Sequence, residues 1–165
     1  MQAYYLHGPR DLRPADIKQP QPGPQEALVR VRATGICGSD MHIIHGDNAF
    51  VRFPRITGHE FAGVVEAVGE KAQSVAVGDR VCVDPVISCG ECYPCRIGRP
   101  NVCSSLEVIG VHRNGGFEEF VAVPAANVHR LPDHIGLDAA ALVEPYTIAA
   151  NVLDRMQPHP GDRLM

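Results

Sequence analysis

Four cysteines in the middle of the chain have the spacing of metal ligands. Cys89, Cys92 and Cys95 are each separated by two residues, and Cys103 follows after seven more. Four thiolates satisfy a tetrahedral Zn²⁺ and leave no open coordination position for a substrate. The segment around them has too few apolar residues to fold by burial, so metal binding must supply much of its ordering free energy. We therefore predict a structural zinc lobe over residues 88–104.

Two alternatives remain for these cysteines. In bacterial ferredoxins the fourth cysteine follows after three residues and precedes proline, whereas here seven residues intervene and Ser104 follows Cys103. All six cysteines, including Cys37 and Cys82, could instead form three disulfides. Four cysteines within fifteen residues at metal-ligand spacing favour zinc over both alternatives. Cys82 has no partner at such a spacing and is interpreted as a buried structural thiol.

A second set of possible ligands is scattered along the chain and comprises Cys37, His59, Glu60 and Glu144. A thiolate, an imidazole and a carboxylate from separate segments make the type of zinc site that keeps one position open for water or a substrate oxygen. Taken singly, each residue has a simpler interpretation, because a lone cysteine is commonly a small buried side chain and a lone carboxylate is commonly solvated. Only the combination makes them a candidate site.

Short apolar runs bounded by glycines predict the strands that must position these side chains. In the segment 27–33 the residue types alternate, which places Val29 on one face and Leu28 on the other. Further strands are predicted at four segments: 61–68, 80–83, 117–123 and 127–130. Strands this short, with frequent turns, are typical of an antiparallel barrel or sandwich.

Two helical segments are predicted beside the strands. One covers 37–45, directly after the first long strand. The other covers 137–156, and we expect a kink at its Pro145, since proline removes a helical hydrogen bond. The fold class is therefore mainly β with a few helices.

The composition limits the partners of the chain. Its 165 residues are 45% hydrophobic, enough for one core, and the net charge of −4 comes without a basic stripe that would bind nucleic acid. Apolar runs such as 139–143 are far shorter than the roughly 18–20 residues that span a bilayer. Residues 1–9 lack the pattern of a secretory signal. We expect a cytoplasmic protein that binds neither nucleic acid nor a membrane.

Taken in order, the motifs resemble those of the zinc-dependent medium-chain alcohol dehydrogenase family. The similar stretches extend over nearly the whole chain: CGSDMH at 37–42, GHEFAGVV at 58–65, GDRV at 78–81 and the four-cysteine lobe. The stretch VIGVHRNGGF at 108–117 and the pair Glu144-Pro145 look more like the branch that acts on polyols, sugar acids and threonine. The resemblance implies a GroES-like irregular β-barrel, to which an NAD(P)-binding Rossmann domain is normally attached.

The resemblance also implies a catalytic zinc and its ligands. Cys37 and His59 would bind this zinc, and Glu144 stands where simple alcohol dehydrogenases have a second cysteine. Glu60 would be a ligand that moves on and off the metal. A zinc ion so held would favour loss of the proton from the substrate alcohol near neutral pH.

Three further residues receive roles from the same resemblance. Ser39 and His42 would relay the proton of the substrate hydroxyl towards solvent. Asp40 would hold the imidazole of His59. Such a carboxylate is common behind a metal-binding histidine, because it fixes the tautomer and the orientation of the ring.

No Gly-x-Gly-x-x-Gly signature of a dinucleotide-binding domain follows a predicted strand. We predict that residues 1–155 form the catalytic domain and that residues 156–165 begin a Rossmann domain. The expected cofactors are two zinc ions per chain and NAD or NADP bound by that further domain. The predicted function is oxidation of a secondary hydroxyl of a polyol, sugar acid or related alcohol, by an enzyme that is a homo-oligomer when full length. The alternatives are an enzyme like L-threonine 3-dehydrogenase and a non-enzymic, zinc-stabilised binding module.

Overall fold

The computed structural model describes residues 1–163. Over these residues nine strands are numbered in chain order: β1 (Gln2–Leu6), β2 (Leu12–Asp16), β3 (Glu26–Thr34), β4 (Phe61–Val68), β5 (Arg80–Val83), β6 (Val86–Ile87), β7 (Glu107–Val108), β8 (Phe120–Pro124) and β9 (Val128–Arg130). The α-helices of the same residues are α1 (Gly38–His45), α2 (Tyr93–Arg96), α3 (Leu137–Ala140) and α4 (Val143–Met156). The mainly β fold class is confirmed.

The strands form one central sheet and two small ones, and all pairs are antiparallel. The central sheet has the order β8-β3-β4-β5-β9, while β1 pairs with β2 and β6 pairs with β7. Strands β3 and β4 pair from Ala27 opposite Val68 to Thr34 opposite Phe61. This register brings the residues that follow β3 beside those that precede β4, and these two segments carry Cys37 and His59.

The predicted strands agree with the observed ones where apolar runs end at clear turn signals. Strands β4 and β5 have the predicted bounds, and β3 extends one residue further at each end. Helix α1 begins at Gly38, with Cys37 as its N-cap residue. The strict alternation predicted for β3 is wrong, however, because Leu28 and Val29 are both buried. A register shift against β4 lies between these two residues, and such a bulge lets consecutive side chains face the interior.

The strand predicted over 117–123 begins later, at Phe120. The preceding residues leave the central sheet to contact other segments. The amide of Phe117 donates to the carbonyl of Thr57, and Glu118 forms an isolated bridge with Ala3 of β1. The hairpin of β1 and β2 was not predicted, because β2 is mostly exposed and lacks a periodic apolar pattern.

The kinked helix predicted over 137–156 is wrong, since the segment forms the two helices α3 and α4. The break at residues 141–142 precedes Pro145, which lies in the first turn of α4. A proline there causes no kink, because the amides of the first turn have no helical acceptor. No residue of α4 is buried.

The main core packs around the central sheet and fixes the ends of β3 and β4. Its largest fully buried side chain is that of Phe61, the first residue of β4. Around it lie mostly valines of the sheet strands, with Ile109 from the loop that follows β7. Close packing of this kind resists displacement, so the segment that leads into β4 has a defined position.

The predicted domain boundary at residue 155 falls in the last turn of α4, which ends at Met156. Leu164 and Met165, which belong to the predicted start of a Rossmann domain, lie outside the described residues. Over the described part of the chain, no helix combines the length and the apolar composition that crossing a membrane requires.

Candidate metal centres

The first candidate centre lies where β3 ends and β4 begins. The amide of Gly35 donates to the carbonyl of Glu60 at 2.6 Å, which continues the pairing of the two strands beyond Thr34 and Phe61. The chain then turns into α1 at Cys37. Residues that are 22 positions apart in sequence are thereby brought together.

Cys37, His59 and Glu60 each direct one possible ligand atom to a common point. The sulfur, the imidazole nitrogen and the carboxylate oxygen all lie within 4.8 Å of one another. His59 and Glu60 are buried and Cys37 is half-buried. Buried carboxylates need a cation or hydrogen-bond donors, so this donor set fits a divalent metal ion such as zinc.

Asp40 holds the two segments of this centre together. Its fully buried carboxylate accepts the amide hydrogen of Cys37 at 2.9 Å and that of Gly58 at 3.2 Å. The imidazole Nδ1 of His59 lies 3.7 Å from the same carboxylate, too far for a full hydrogen bond. Within residues 1–163 that nitrogen is buried without another partner. A small movement of the His59 ring towards Asp40 would let Nδ1 donate to the carboxylate and leave Nε2 free to bind a metal. Asp40 would then hold the imidazole, which is the role that the resemblance implies for it.

The carboxylate also sets the protonation of the imidazole. Interaction with Asp40 raises the pKa of His59 to about 9, against the opposing effect of burial, and Cys37 adds to the rise. A metal ion bound to Nε2 would compete with this proton.

Ser39 lies beside the imidazole, at the beginning of α1. Its hydroxyl is 3.5 Å from Nε2 of His59 and is half-buried. His42 is one turn further along the same helix and is exposed to solvent. Residues three apart share one helix face, so the order from the half-buried hydroxyl to the exposed imidazole suits a relay. The relay itself stays a prediction.

Glu144 is not part of the group of three donors. It stands in the first turn of α4, where burial raises its pKa while the charge of His59 lowers it and that of Glu60 raises it. The side chain is thus within electrostatic reach of the centre. Its predicted place among the ligands stays a prediction, whereas Glu60 supplies the carboxylate that the geometry brings to Cys37 and His59.

The second candidate centre is the four-cysteine lobe. Three pairs of sulfurs lie close together, Cys92 to Cys95 at 3.4 Å, Cys103 to Cys89 at 3.5 Å and Cys92 to Cys103 at 3.8 Å. A tetrahedron with zinc–sulfur bonds of about 2.3 Å has edges of about 3.8 Å, so the sulfurs fit one zinc ion. All six cysteines are free, which argues against the disulfide alternative.

Backbone amides surround the sulfurs of the lobe as they surround thiolates. The amides of Cys89 and Ser105 both donate to the sulfur of Cys103 at 3.3 Å. The amide of Cys92 donates to the sulfur of Cys89 at 3.4 Å. The backbone amides of Ser104 and Cys95 lower the pKa of Cys92 to about 6, while burial raises the pKa of Cys95 to about 12. A bound metal ion would favour thiolates at all four cysteines.

Sequence reasoning missed two glycines that shape the first centre. A β-carbon on Gly35 would collide with the carboxylate of Glu60. Gly58 has a φ of 91°, and a β-carbon there would lie 2.8 Å from the ring of Phe117. Their positions directly beside the ligand segments were the only signal in the sequence.

If Cys37, His59 and Glu60 bind zinc, we expect Gly35→Ala to weaken this binding by about tenfold or more, because the new methyl group displaces the Glu60 carboxylate. Competition with a chromophoric chelator measures this affinity. Gly38→Ala is the matched control, since a β-carbon there meets nothing within 4 Å. Equal affinities of the two variants would contradict a role for Glu60 as a ligand.

The family model and the relatives that this chain matches all indicate the same protein family. The model of the alcohol dehydrogenase GroES-like domain matches residues 23–133. The chain is 48% identical over 165 residues to the starvation-sensing protein RspB of Escherichia coli K12, covering 100% of this chain and 49% of that protein. It is 39% identical over 158 residues to the L-galactonate-5-dehydrogenase of the same organism, covering 95% and 46%.

A solved structure of an alcohol dehydrogenase from Escherichia coli CFT073 in complex with NADH has a TM-score of 0.90 at 49% identity, covering 96% of this chain and 46% of that one. The chain therefore spans about half the length of the curated relatives it matches. Residues 23–133 contain both candidate centres, from the Cys37 segment to the four-cysteine lobe. With its mainly β fold and this match, the chain belongs to the alcohol dehydrogenase family with a GroES-like domain.

Proposed function

We propose that this chain is the catalytic domain of a zinc-dependent dehydrogenase that oxidises a secondary hydroxyl of a polyol or sugar acid with NAD or NADP. The observation that carries the proposal is the convergence of Cys37, His59 and Glu60 within 4.8 Å. Three protein ligands leave a fourth position for a substrate oxygen, which is the arrangement of catalytic rather than structural zinc. A purely structural module would not need a metal site with an open coordination position, because the closed four-cysteine site already stabilises the fold.

When bound, the zinc ion supplies Lewis-acid polarisation of the substrate oxygen, and NAD(P)⁺ on a further domain supplies a hydride acceptor. The chain itself orients the donors, because Asp40 fixes the Cys37 and Gly58 segments through their amides. The hydroxyl of Ser39 lies beside the imidazole of His59, where it takes the proton released by the substrate hydroxyl. His42 then passes the proton from the helix face to solvent.

The lobe has a different task in this proposal. Its four cysteines bind a second zinc ion with no position left for substrate, so that the metal acts through stability alone. The proposed content is thus two zinc ions per chain.

The substrate class rests on the relatives. The name L-galactonate-5-dehydrogenase describes oxidation of a sugar acid by a protein 39% identical to this chain. We propose a polyol or sugar acid for this chain, with L-threonine as the alternative. Location in the cytoplasm and assembly into a homo-oligomer are proposed with it.

Joining the chain to a nucleotide-binding domain of its family tests the activity. The joined protein is expected to reduce NAD⁺ or NADP⁺ with at least one member of a panel of polyols and sugar acids, and Cys37→Ser abolishes this. The 165-residue chain alone is the control and should show no turnover, because hydride transfer needs both reactants held roughly 3–3.5 Å apart. Turnover on L-threonine alone would favour the alternative, and micromolar binding of NAD by the chain alone would contradict the division of roles.

A further inference from the structure

A second polar region of the molecule lies outside both metal centres. A cavity of about 550 Å³ is bordered by the loop after β2, the segment before Ile56 and the turn before β8. Three cationic side chains line it, from Lys18, Arg55 and Arg113. None of the residues that line it is one of the candidate zinc ligands.

Two of the three cations have no carboxylate partner within the described residues. Arg113 is paired with Glu26 at 2.6 Å, but no ion pair is formed by Lys18 or Arg55 over residues 1–163. The guanidinium of Arg55 makes one side-chain hydrogen bond, from Nη1 to the amide oxygen of Asn114 at 3.3 Å. Over residues 1–163 its Nε is buried without a partner. With one side-chain hydrogen bond, the guanidinium keeps further N–H groups that can donate to an anion in the cavity.

The charge and size of the cavity favour a particular class of anion. Two unpaired positive charges match the two negative charges of a phosphate monoester better than the single charge of a carboxylate. A volume of about 550 Å³ exceeds the need of a bare phosphate and suits a small metabolite. Tyr5 and Val121 add an apolar wall for the organic part.

Glu118 lines the same cavity and would repel an anion if it were ionised. The residue is buried, and burial raises its pKa to about 8, so that it is mostly protonated at neutral pH. A protonated carboxyl donates a hydrogen bond, which suits a phosphate oxygen.

We propose that this cavity binds a small phosphate-bearing metabolite, with its phosphate group between Lys18 and Arg55. Asn114 couples the site to the loop that leads to His59, because its side-chain oxygen accepts from Arg55 and from the amide of Ile56. The cavity shares no residue with the candidate zinc ligands, so binding of the phosphate-bearing metabolite does not require zinc.

Calorimetric titration with glucose 6-phosphate at constant ionic strength tests the proposal on the 165-residue chain. We expect saturable binding with a Kd below about 1 mM, no binding of glucose, and at least tenfold weaker binding of gluconate, which carries a carboxylate instead. Inorganic phosphate should bind more weakly than the ester. Gluconate binding as tightly as glucose 6-phosphate would overturn the assignment to a phosphate.

Charge-neutral variants locate the site. Arg55→Met and Lys18→Met should each weaken binding of glucose 6-phosphate by about tenfold or more, whereas Arg52→Met, exposed and outside the cavity, should change it less than twofold. Lys18 is exposed and makes no side-chain bond within residues 1–163, so its variant tests the site even if loss of Arg55 disturbs folding. Absence of saturable binding below about 10 mM, or an equal loss in the Arg52→Met protein, would overturn the proposal. Cys37→Ser should leave the Kd unchanged.

Discussion

Replacing Cys95 by serine is expected to remove one of two zinc ions per chain and to unfold the lobe 88–104. The physical reason is the small apolar area of the lobe, where Tyr93, Ile97 and Val102 are more than half exposed. Structural zinc contributes on the order of 10–16 kcal/mol in small zinc-dependent peptides, far more than such exposed side chains supply. Elemental analysis of protein made in zinc-replete medium measures the metal content.

Trypsin reports the folding of the lobe independently. Arg96 is exposed in the lobe, and cleavage by trypsin after it requires only local unfolding. We expect the Cys95→Ser protein to be cut after Arg96 many times faster than the unaltered chain. The central sheet should survive, because its core consists of other residues.

Two cysteine variants serve as controls for the zinc content. Cys82→Ser should keep both ions, since Cys82 lies in β5 outside both centres. Cys37→Ser should lose the other ion while the lobe stays resistant to trypsin. Tightly bound iron would refute the zinc assignment of the lobe and would favour the iron–sulfur alternative. Unchanged zinc content in the Cys95→Ser protein would also refute the assignment.

The two centres differ in how far the sequence predicts them. The lobe is local, because four cysteines at metal-ligand spacing within fifteen residues indicate both the candidate ligands and their proximity. Cys37 and His59 are 22 residues apart, and no local pattern says that they meet. Their meeting follows from the register of β3 against β4, which depends on side-chain packing along the whole pair. Only the resemblance to a family anticipated it.

The same distinction explains the errors in the fold. Strand β4 was located to the residue because its apolar run lies between turn signals. The bulge that buries both Leu28 and Val29 arises from the pairing of β3 with β4. It cannot be predicted from an alternating pattern of apolar residues, because that pattern assumes a regular strand. The cavity of Lys18 and Arg55 likewise joins segments that are distant in sequence, so composition alone gave no sign of it.

The second large effect concerns Ser39. In the protein that carries a nucleotide-binding domain, Ser39→Ala is expected to reduce turnover by roughly 10²–10⁴-fold, the usual contribution of a positioned acid–base group. The half-buried hydroxyl lies 3.5 Å from Nε2 of His59, whereas His42 further along the helix is exposed to solvent. Steady-state kinetics with the best polyol or sugar acid of the panel measures the effect.

Metal binding separates a proton-transfer role from a structural one. Ser39 is not among the three donors, so Ser39→Ala should retain both zinc ions and its thermal stability. Ser39→Thr keeps a hydroxyl at the same place and should recover most of the turnover. A loss of zinc in the alanine variant would instead assign Ser39 to the stability of the centre.

Loss of the outer relay residue, His42, should reduce turnover less than loss of Ser39. His42 is exposed, and water can replace an exposed proton carrier, so His42→Ala should lower turnover less than Ser39→Ala does. Its activity should recover partly in added imidazole or at higher pH, where the proton leaves more readily to solvent, whereas that of Ser39→Ala should not recover with imidazole. Near-full turnover of Ser39→Ala would refute the relay, because the hydroxyl beside the imidazole of His59 would then have no part in moving the proton.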